Sequence, residues 1–409
     1  MKKLNVYKVK PGMILEEDVV SSQGRRLFSK NLKLTQKEIR TLKMWGISEV
    51  IIQTVVQKKD QIKPENKRND TKKSKEFMNK WFQKNDIENP VVEAVYHICI
   101  DRFEKNQFEM PSLFEKESKK EQLSEETPKV VENIHQLLED DIKLPSLPTI
   151  FSEINEAIKN PKCSGKDIAD IVSKDTSLSA TLLKIVNSAY YGLSEKVESL
   201  HYAAMALGTQ QVSSLALGIT VIKYFKGISD KRVNMQSFWN HSIASAIASK
   251  TFALHVKGAD SDRVFIGGLL HDIGRLIFLN YYPDICNSLV KKAKILDLFY
   301  YQLEPKYFGM THGKFGGLLA KNWNFSDKIS QLIHHHHTQF KKVPPKEVGL
   351  VYISNWLVTA IGIGSSGENG LHQLNINAWK SLNISESVIE PVVKQIDRQI
   401  VEAVKFFYE

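Results

Sequence analysis

Apolar and polar residues alternate along the first part of the chain and then give way to a longer period. Leu4–Val9 and Ile14–Val20 alternate, Ser21–Gly24 signals a turn, and Glu49–Val56 is rich in β-branched residues, so strands are predicted there. Between them Thr35-Gln-Lys-Glu38 has the form of a capping box and Gly46 stands where a glycine closes a helix. Residues 1–56 therefore read as a small α+β module. From Leu144 onward the period is helical. Ile150, Ile154, Ala157 and Ile158 predict one apolar stripe; Ser164-Gly-Lys-Asp167 caps a second helix with Ile168, Ile171 and Val172; Leu178, Leu182, Leu183 and Val186 form a third stripe; Gly208 ends a helix through Ala203–Leu207. Residues 144–409 are expected to be all-α, without a parallel-sheet nucleotide fold, a phosphate-cradling glycine loop or a solenoid repeat.

The stretch between these modules, 57–143, is charged, with helical segments near Glu76–Gln83 and Pro90–Phe103. Its composition from Lys58 to about Lys75 has too few apolar residues to order itself and reads as a tether. The chain has 409 residues and a net charge of +10, half of which comes from residues 57–87, where ten Lys and Arg face five acids. From Glu115 to Asp141 the balance reverses, with nine acids against four lysines. Solvated segments or mutual docking account for this pattern; nucleic acid is the least favoured partner, because the lysine run lacks interleaved aromatics.

With 42% apolar and 25% charged residues the composition is that of an ordinary globular protein. The longest weakly polar run, Val351–Gly364, falls short of the roughly 20 residues a membrane-crossing helix needs, and Met1–Gly12 lacks the apolar core of a secretory signal, so a cytoplasmic location without a membrane span is expected. Cys99, Cys163 and Cys286 are too scattered for a disulfide framework or a thiolate zinc site.

Candidate chemistry gathers where the histidines do. Eight of the twelve lie between His241 and His337. The most specific element is Gly267-Gly-Leu-Leu-His-Asp-Ile-Gly274, a His-Asp pair expected inside an apolar helix. Successive helical side chains diverge by about 100°, so both can lean toward one ion only in the angle between them. Imidazole with carboxylate suits Mn, Fe, Ni, Zn or Mg. His241 adds a third ligand to His271 and Asp272, and His312 with His336 or His337 can serve a second ion. The alternative is a satisfied polar pair in a core, without metal. His255 and His372 lack such company and are expected at the surface; of His334–His337 at most two can face one pocket.

Further landmarks stand in a fixed order: Leu144-Pro-Ser-Leu-Pro148, Ile168–Val172 with Asp175, Leu182-Leu-Lys-Ile-Val-Asn-Ser-Ala-Tyr-Tyr-Gly192, Ala203 to Gly208, Phe238-Trp-Asn-His241, the His271-Asp272 segment, Glu304, His312, Gly316, Trp323 and His336-His337. This series resembles the HDOD domain, the HD-related output domain of bacterial signalling proteins, with its HD-like half from about 236 to 409. Residues 1–56, with Pro11-Gly-Met13, Gly24 and Thr35 to Gly46-Ile47, resemble the N-terminal module attached to HD-GYP proteins. The resemblance implies an all-helical domain related to HD metal-dependent phosphohydrolases that acts as a regulatory output module. It places His241, His271 and Asp272 on HD metal-ligand positions, likens His312, His336 and His337 to the additional histidines of HD-GYP relatives, and makes Arg275 a candidate phosphate contact. Two departures stand out. Asn355 falls where an active HD enzyme supplies an aspartate, and its neutral amide oxygen is a poorer partner for a hard cation. Arg275 replaces the lysine usual in HD-GYP enzymes, and Leu276–Pro283 shows no GYP signature. The expected function is signal transduction through binding of a protein partner or a nucleotide second messenger. The alternative is a divergent phosphohydrolase acting on cyclic dinucleotides, as in cyclic-di-GMP signalling, or on other phosphoesters.

Overall fold

The computed structural model describes residues 2–5, 13–20, 26–35, 38, 42, 49–52, 74–105, 107–108, 130–131, 134–139, 148–187, 195–225, 234–323 and 325–408. The chain forms two compact units, Met1–Asn69 and Asp70–Glu409. The tether up to residue 73, the turn at Ser21–Gly24, Gly46, most of the acidic stretch and Leu144–Leu147 lie outside the described residues, as does the end of the series Leu182–Gly192.

In the first unit β1 (Lys2–Asn5) pairs antiparallel with β4 (Glu49–Ile52), and β2 (Val19–Val20) pairs with β3 (Arg26–Phe28). Leu15, Val19, Leu34, Leu42, Val50 and Ile52 make a small core of their own. The Thr35 backbone N–H donates to the Glu38 carboxylate at 2.8 Å, the reciprocal half of the capping box read from the sequence.

Every regular element among the described residues of the second unit is a helix. Its helices are α1 (74–81), α2 (Pro90–Glu104), α3 (Thr149–Lys159), α4 (Gly165–Ser173), α5 (Thr176–Val186), α6 (Leu200–Leu207), α7 (Thr209–Phe225), α8 (Met235–Ala253), α9 (Ser261–Leu270), α10 (Ile273–Tyr281), α11 (Pro283–Leu296), α12 (Tyr300–Phe308), α13 (His312–Asn322), α14 (Asp327–His334), α15 (Lys346–Ala360), α16 (Ile376–Lys380) and α17 (Ile389–Tyr408). A short turn of helix stands at Gln136–Glu139. Local signals act where the sequence places them: Ser164 and Asp167 form the reciprocal capping box of α4, Asp175 caps α5, and Gly208 ends α6 at φ 88°.

The first stripe is rotated from its expected position. Phe151, Ile154 and Asn155 face the core of α3 and Ile158 is 39% exposed. The larger ring wins the buried slot, because Phe151 packs edge-on against Trp323 and Phe325 while the Asn155 amide donates to the Trp323 carbonyl at 2.8 Å. Helices α1 and α2 join the same core as the rest of the unit. They cover the C-terminal end of α15, where carbonyls lack helical partners: Trp81 Nε1 (3.3 Å) and Cys99 Sγ (3.1 Å) both donate to the Ala360 carbonyl, and Arg102 Nε donates to that of Ile361 at 3.1 Å. Arg102 Nη1 also donates to both carboxylate oxygens of Asp397 in α17, at 2.7 and 2.8 Å. No described helix is long and apolar enough to cross a membrane.

Candidate metal centre

Helix α8 runs through the middle of the second unit, packed on α9, α15 and α17, while α13 lies on α10 and α14. Glycines permit the tightest approaches. A Cβ at Gly268 would stand 2.8 Å from the Ser245 carbonyl oxygen, and one at Gly274 only 2.1 Å from that of His312, so α9 meets α8 and α10 meets α13 backbone to backbone. These crossings bring His241 (α8), His271 and Asp272, His312 (α13), and His336 and His337 (just past α14) to one place.

The His-Asp pair is not inside a helix, as its apolar surroundings predict, but at a junction. His271 ends α9, and Asp272, with φ −96° and ψ 11°, precedes α10 without capping it. The break turns the carboxylate inward, where it meets ligands from both sides. One group is Asp272, His312, His336 and His337; the other is His241, His271 and Asp272; within each, the potential ligand atoms lie within 4.8 Å of one another, and Asp272 is common to both. Its Oδ1 stands 3.0 Å from His312 Nε2 and 3.5 Å from His336 Nε2; its Oδ2 stands 2.9 Å from His271 Nε2 and 3.9 Å from His241 Nε2.

Outer partners fix the tautomers. His271 Nδ1 faces the Gly268 carbonyl at 2.8 Å and His336 Nδ1 that of Ile333 at 2.6 Å; a carbonyl can only accept, so both Nδ1 atoms carry the proton and both Nε2 atoms present lone pairs to Asp272. His312 Nδ1 faces the Glu304 carboxylate at 2.7 and 2.8 Å, and its Nε2 lies 3.0 Å from His336 Nε2. Both Asp272 oxygens and His271 Nε2 are buried without a hydrogen-bond partner. Acceptor atoms that converge on each other in a dry interior want a cation between them.

Protonation follows from the same packing. Burial, reinforced by the neighbouring His271, lowers His241 to about 4, and burial takes His336 to about 3 and His337 well below its ordinary value. Burial pushes Asp272 upward, yet the imidazoles of His271, His312 and His336 outweigh it and hold the carboxyl well below the usual range. His312 also feels burial and Arg275 pushing it down, but the carboxylates of Glu304 and Asp272 on either side of its ring leave it above its ordinary value. His241, His336 and His337 are thus held neutral beside the ionised Asp272, and neutral imidazole with carboxylate is the donor set a divalent ion binds.

Arg275 lies behind this centre, fully buried. Its guanidinium donates to Glu368 at 2.6 Å and to the Ser366 carbonyl at 2.6 Å, stands 3.6 Å from Glu304, and sits over the Tyr300 ring at 4.6 Å. The candidate phosphate contact is thus enclosed in an internal ion pair. The one guanidinium contacts two carboxylates, Glu304 and Glu368, while Asp272 faces the imidazoles. Glu368 escapes sequence reasoning altogether, since no spacing links its glycine-rich loop to the histidines; Glu304 stands in the ordered series, but nothing in its spacing from His312 announces that it orients that ring. Asn355 of α15 meets His241 at 2.9 Å from Oδ1 to Nε2.

Of the remaining histidines, His255 is exposed as expected and His334 is exposed too, with His335 and His337 half-buried. His372 is not at the surface but 2% exposed, ringed by Phe299, His337 and Tyr352, because its carbonyl is tied to Asn85 at 3.2 Å and to Trp356 at 2.9 Å.

A family model described as the HDOD domain matches residues 144–339. Among solved structures, an HDOD domain protein of unknown function from Geobacter sulfurreducens is 25% identical with a TM-score of 0.54, covering 65% of this chain and 93% of that one. A protein of Shewanella amazonensis provisionally named a phosphohydrolase is 21% identical with a TM-score of 0.54, over 66% of this chain and 97% of that one. A Marinobacter aquaeolei protein provisionally named for signal transduction is 20% identical with a TM-score of 0.55, over 79% of this chain and 67% of that one. A curated relative, an uncharacterized protein of Treponema pallidum, is 26% identical over 221 residues, 53% of this chain; the match spans 41% of that relative's length.

Proposed function

We propose, from the premise that residues 144–339 form an HDOD domain, that this chain is a signalling regulator whose helical unit acts by binding a protein partner or a nucleotide and not by turning over a phosphoester. The observation that carries this reading is enclosure. His271 and His312 are 0% exposed and Asp272 is 1% exposed, so the groups that a hydrolase aims at its substrate face only each other. Arg275 supports it further, since its guanidinium is already engaged by Glu304 and Glu368. Asn355 does so too: an amide stands where the resemblance expects a carboxylate, and it engages the Nε2 of His241 that would otherwise face an ion.

The donor set nonetheless fits a divalent ion of the Fe, Mn, Zn, Ni or Mg kind. Asp272 with His312, His336 and His337, or Asp272 with His241 and His271, would hold it. When bound, such an ion supplies positive charge and can acidify a coordinated water. What this chain's own residues do is hold the imidazoles in one tautomer and keep bulk water out. The convergence of unpartnered acceptors is also the one observation favouring the second reading, a divergent metal-dependent phosphohydrolase. The small N-terminal module would tune or localise the helical unit.

The test is a turnover screen of the full chain supplied with Mn²⁺ or Fe²⁺, using a chromogenic phosphodiester and a cyclic dinucleotide, beside the Asp272→Asn variant. The expected result is no turnover above that variant. Hydrolysis that depends on Asp272 would replace this reading with the enzyme.

A further inference from the structure

The two groups of donors that share Asp272 are not equivalent, and the difference decides how many ions the centre holds. On one side Asp272 Oδ1, His312 Nε2 and His336 Nε2 form a triangle with sides of 3.0, 3.0 and 3.5 Å. Bonds of about 2.1 Å from a divalent ion to nitrogen or oxygen put neighbouring ligand atoms roughly 3.0 Å apart in octahedral geometry and about 3.4 Å apart in tetrahedral geometry. The triangle therefore already has the dimensions of one face of a coordination shell. His336 is steadied from behind by the Ile333 carbonyl and His312 by the Glu304 carboxylate. His337 belongs to the same group; both its ring nitrogens are buried without a hydrogen-bond partner, and its ring stacks on that of Tyr301 at 4.4 Å.

On the other side Asp272 Oδ2 reaches His271 Nε2 at 2.9 Å but His241 Nε2 only at 3.9 Å, longer than such an edge. The cause is Asn355. Its Oδ1 lies 2.9 Å from His241 Nε2, and an amide oxygen can only accept, so that nitrogen carries the ring proton and has no lone pair to offer an ion. The opposite nitrogen agrees: His271, His312 and His336 each present Nδ1 to an oxygen outside the centre, whereas His241 Nδ1 is buried with no partner. His241 thus lacks the outer acceptor that would hold its proton on Nδ1 and free Nε2 to ligate.

We infer that the centre holds a single divalent ion, on Asp272, His312, His336 and His337, and that Asn355 is the residue that keeps a second ion from His241 and His271. The inference rests on the reading that this donor set takes a divalent ion, and adds which half takes it and what excludes the other. Imidazoles with one carboxylate suit Zn, Fe or Mn. Such an ion would join the α9–α10 junction, α13 and the turn after α14 through their own side chains.

The experiment counts Mn, Fe and Zn per chain by plasma mass spectrometry. The full chain is produced in medium carrying all three, purified without chelating resin and passed through gel filtration, and circular dichroism checks that each variant is folded. The expected result is one ion per chain in the native protein, one in His241→Gln, none in His336→Gln and two in Asn355→Asp, where a carboxylate replaces the amide beside His241. The native count alone tests the inference even where a variant fails to fold, since none or two would overturn it. So would loss of the ion in folded His241→Gln, its retention in folded His336→Gln, or a single ion in folded Asn355→Asp. A native count of none would leave the binding reading above intact, whereas turnover that depends on Asp272 would overturn that reading and leave the count standing, so the two fail separately.

Discussion

Helices α4 to α7 bury Ile168, Val172, Leu178, Leu182 and Ile219 and, among their described residues, no charged side chain, whereas α8 to α14 and the loop after α15 enclose Asp272, Arg275, Glu304, Glu368 and five histidines. Both regions belong to one continuous core, so the difference is not one of packing. An apolar interior is stabilised by area removed from water, about 25 cal/mol per Å², and tolerates any residue of similar shape. A buried charge is tolerated only while each partner is present, because a carboxylate left alone in a dry interior has no water to replace the lost ion. The first region makes the fold; the second is held by the fold at a cost that packing does not require. That asymmetry is the reason to look for function in the second.

The comparison is broken most severely at Arg275. Arg275→Met leaves Glu368 buried without its guanidinium and Glu304 with His312 alone, and we expect a loss of about 4 kcal/mol in chemical denaturation. A loss under 1 kcal/mol would mean that His312 and the Tyr300 N–H, which donates to Glu368 at 3.0 Å, suffice without the guanidinium. In the apolar region the matching change is Leu182→Ala, which removes a fully buried side chain from α5; we expect about 3 kcal/mol from lost transfer and the cavity left behind. Substituting Leu182→Met instead should recover most of it, an exchange for which the charged region has no equivalent.

A third test uses pH. Burial lowers His372 to about 4 in the folded chain, against an ordinary 6.5. Its folded value is depressed, so the unfolded chain binds the proton first and stability falls as pH drops from about 6.5 toward about 4, by up to roughly 1.4 kcal/mol per unit. His312 shifts the other way, its contribution present below about 6.5 and fading as pH rises through its raised value. Comparing the native chain with His372→Gln isolates one group: the variant's stability should fall less steeply with acidification, and an unchanged slope would contradict the buried neutral ring. The smallest effect belongs to the surface. Lys174 pairs with Glu153 at 2.6 Å, with the side chains 62% and 36% exposed, and Lys174→Ala should change stability by less than about 1 kcal/mol.

How much of this was legible in the sequence divides along the same line. Helix ends are written locally: Ser164 with Asp167, Asp175 and Gly208 each act within one turn, and each stands where the residues place it. The order of landmarks from Ile168 to His336-His337 carries the family. Side-chain competition across helices is not local, which is why Phe151 displaces Ile158 and why His372 is drawn inside. The histidines cluster in the chain and therefore announce themselves, but the partners that orient them do not. Glu304 and Glu368 lie eight and more residues away from their partners in the chain, and close backbone approaches, Gly274 against His312 and Gly364 against Ser237 and His241, bring these elements together. The junction at His271-Asp272 is hidden for a similar reason, since its apolar neighbours continue a helical pattern straight through the break.

The central claim is that the His/Asp centre is enclosed, and histidine modification by diethyl pyrocarbonate, read residue by residue by mass spectrometry on the native chain, tests it most directly. The account predicts rapid modification of exposed His255 and His334 and protection of His241, His271, His312 and His336 until the chain is unfolded. Modification of His271 or His312 at the rate of His255 in the folded protein would mean an open site, and the case for binding over catalysis would fall with it.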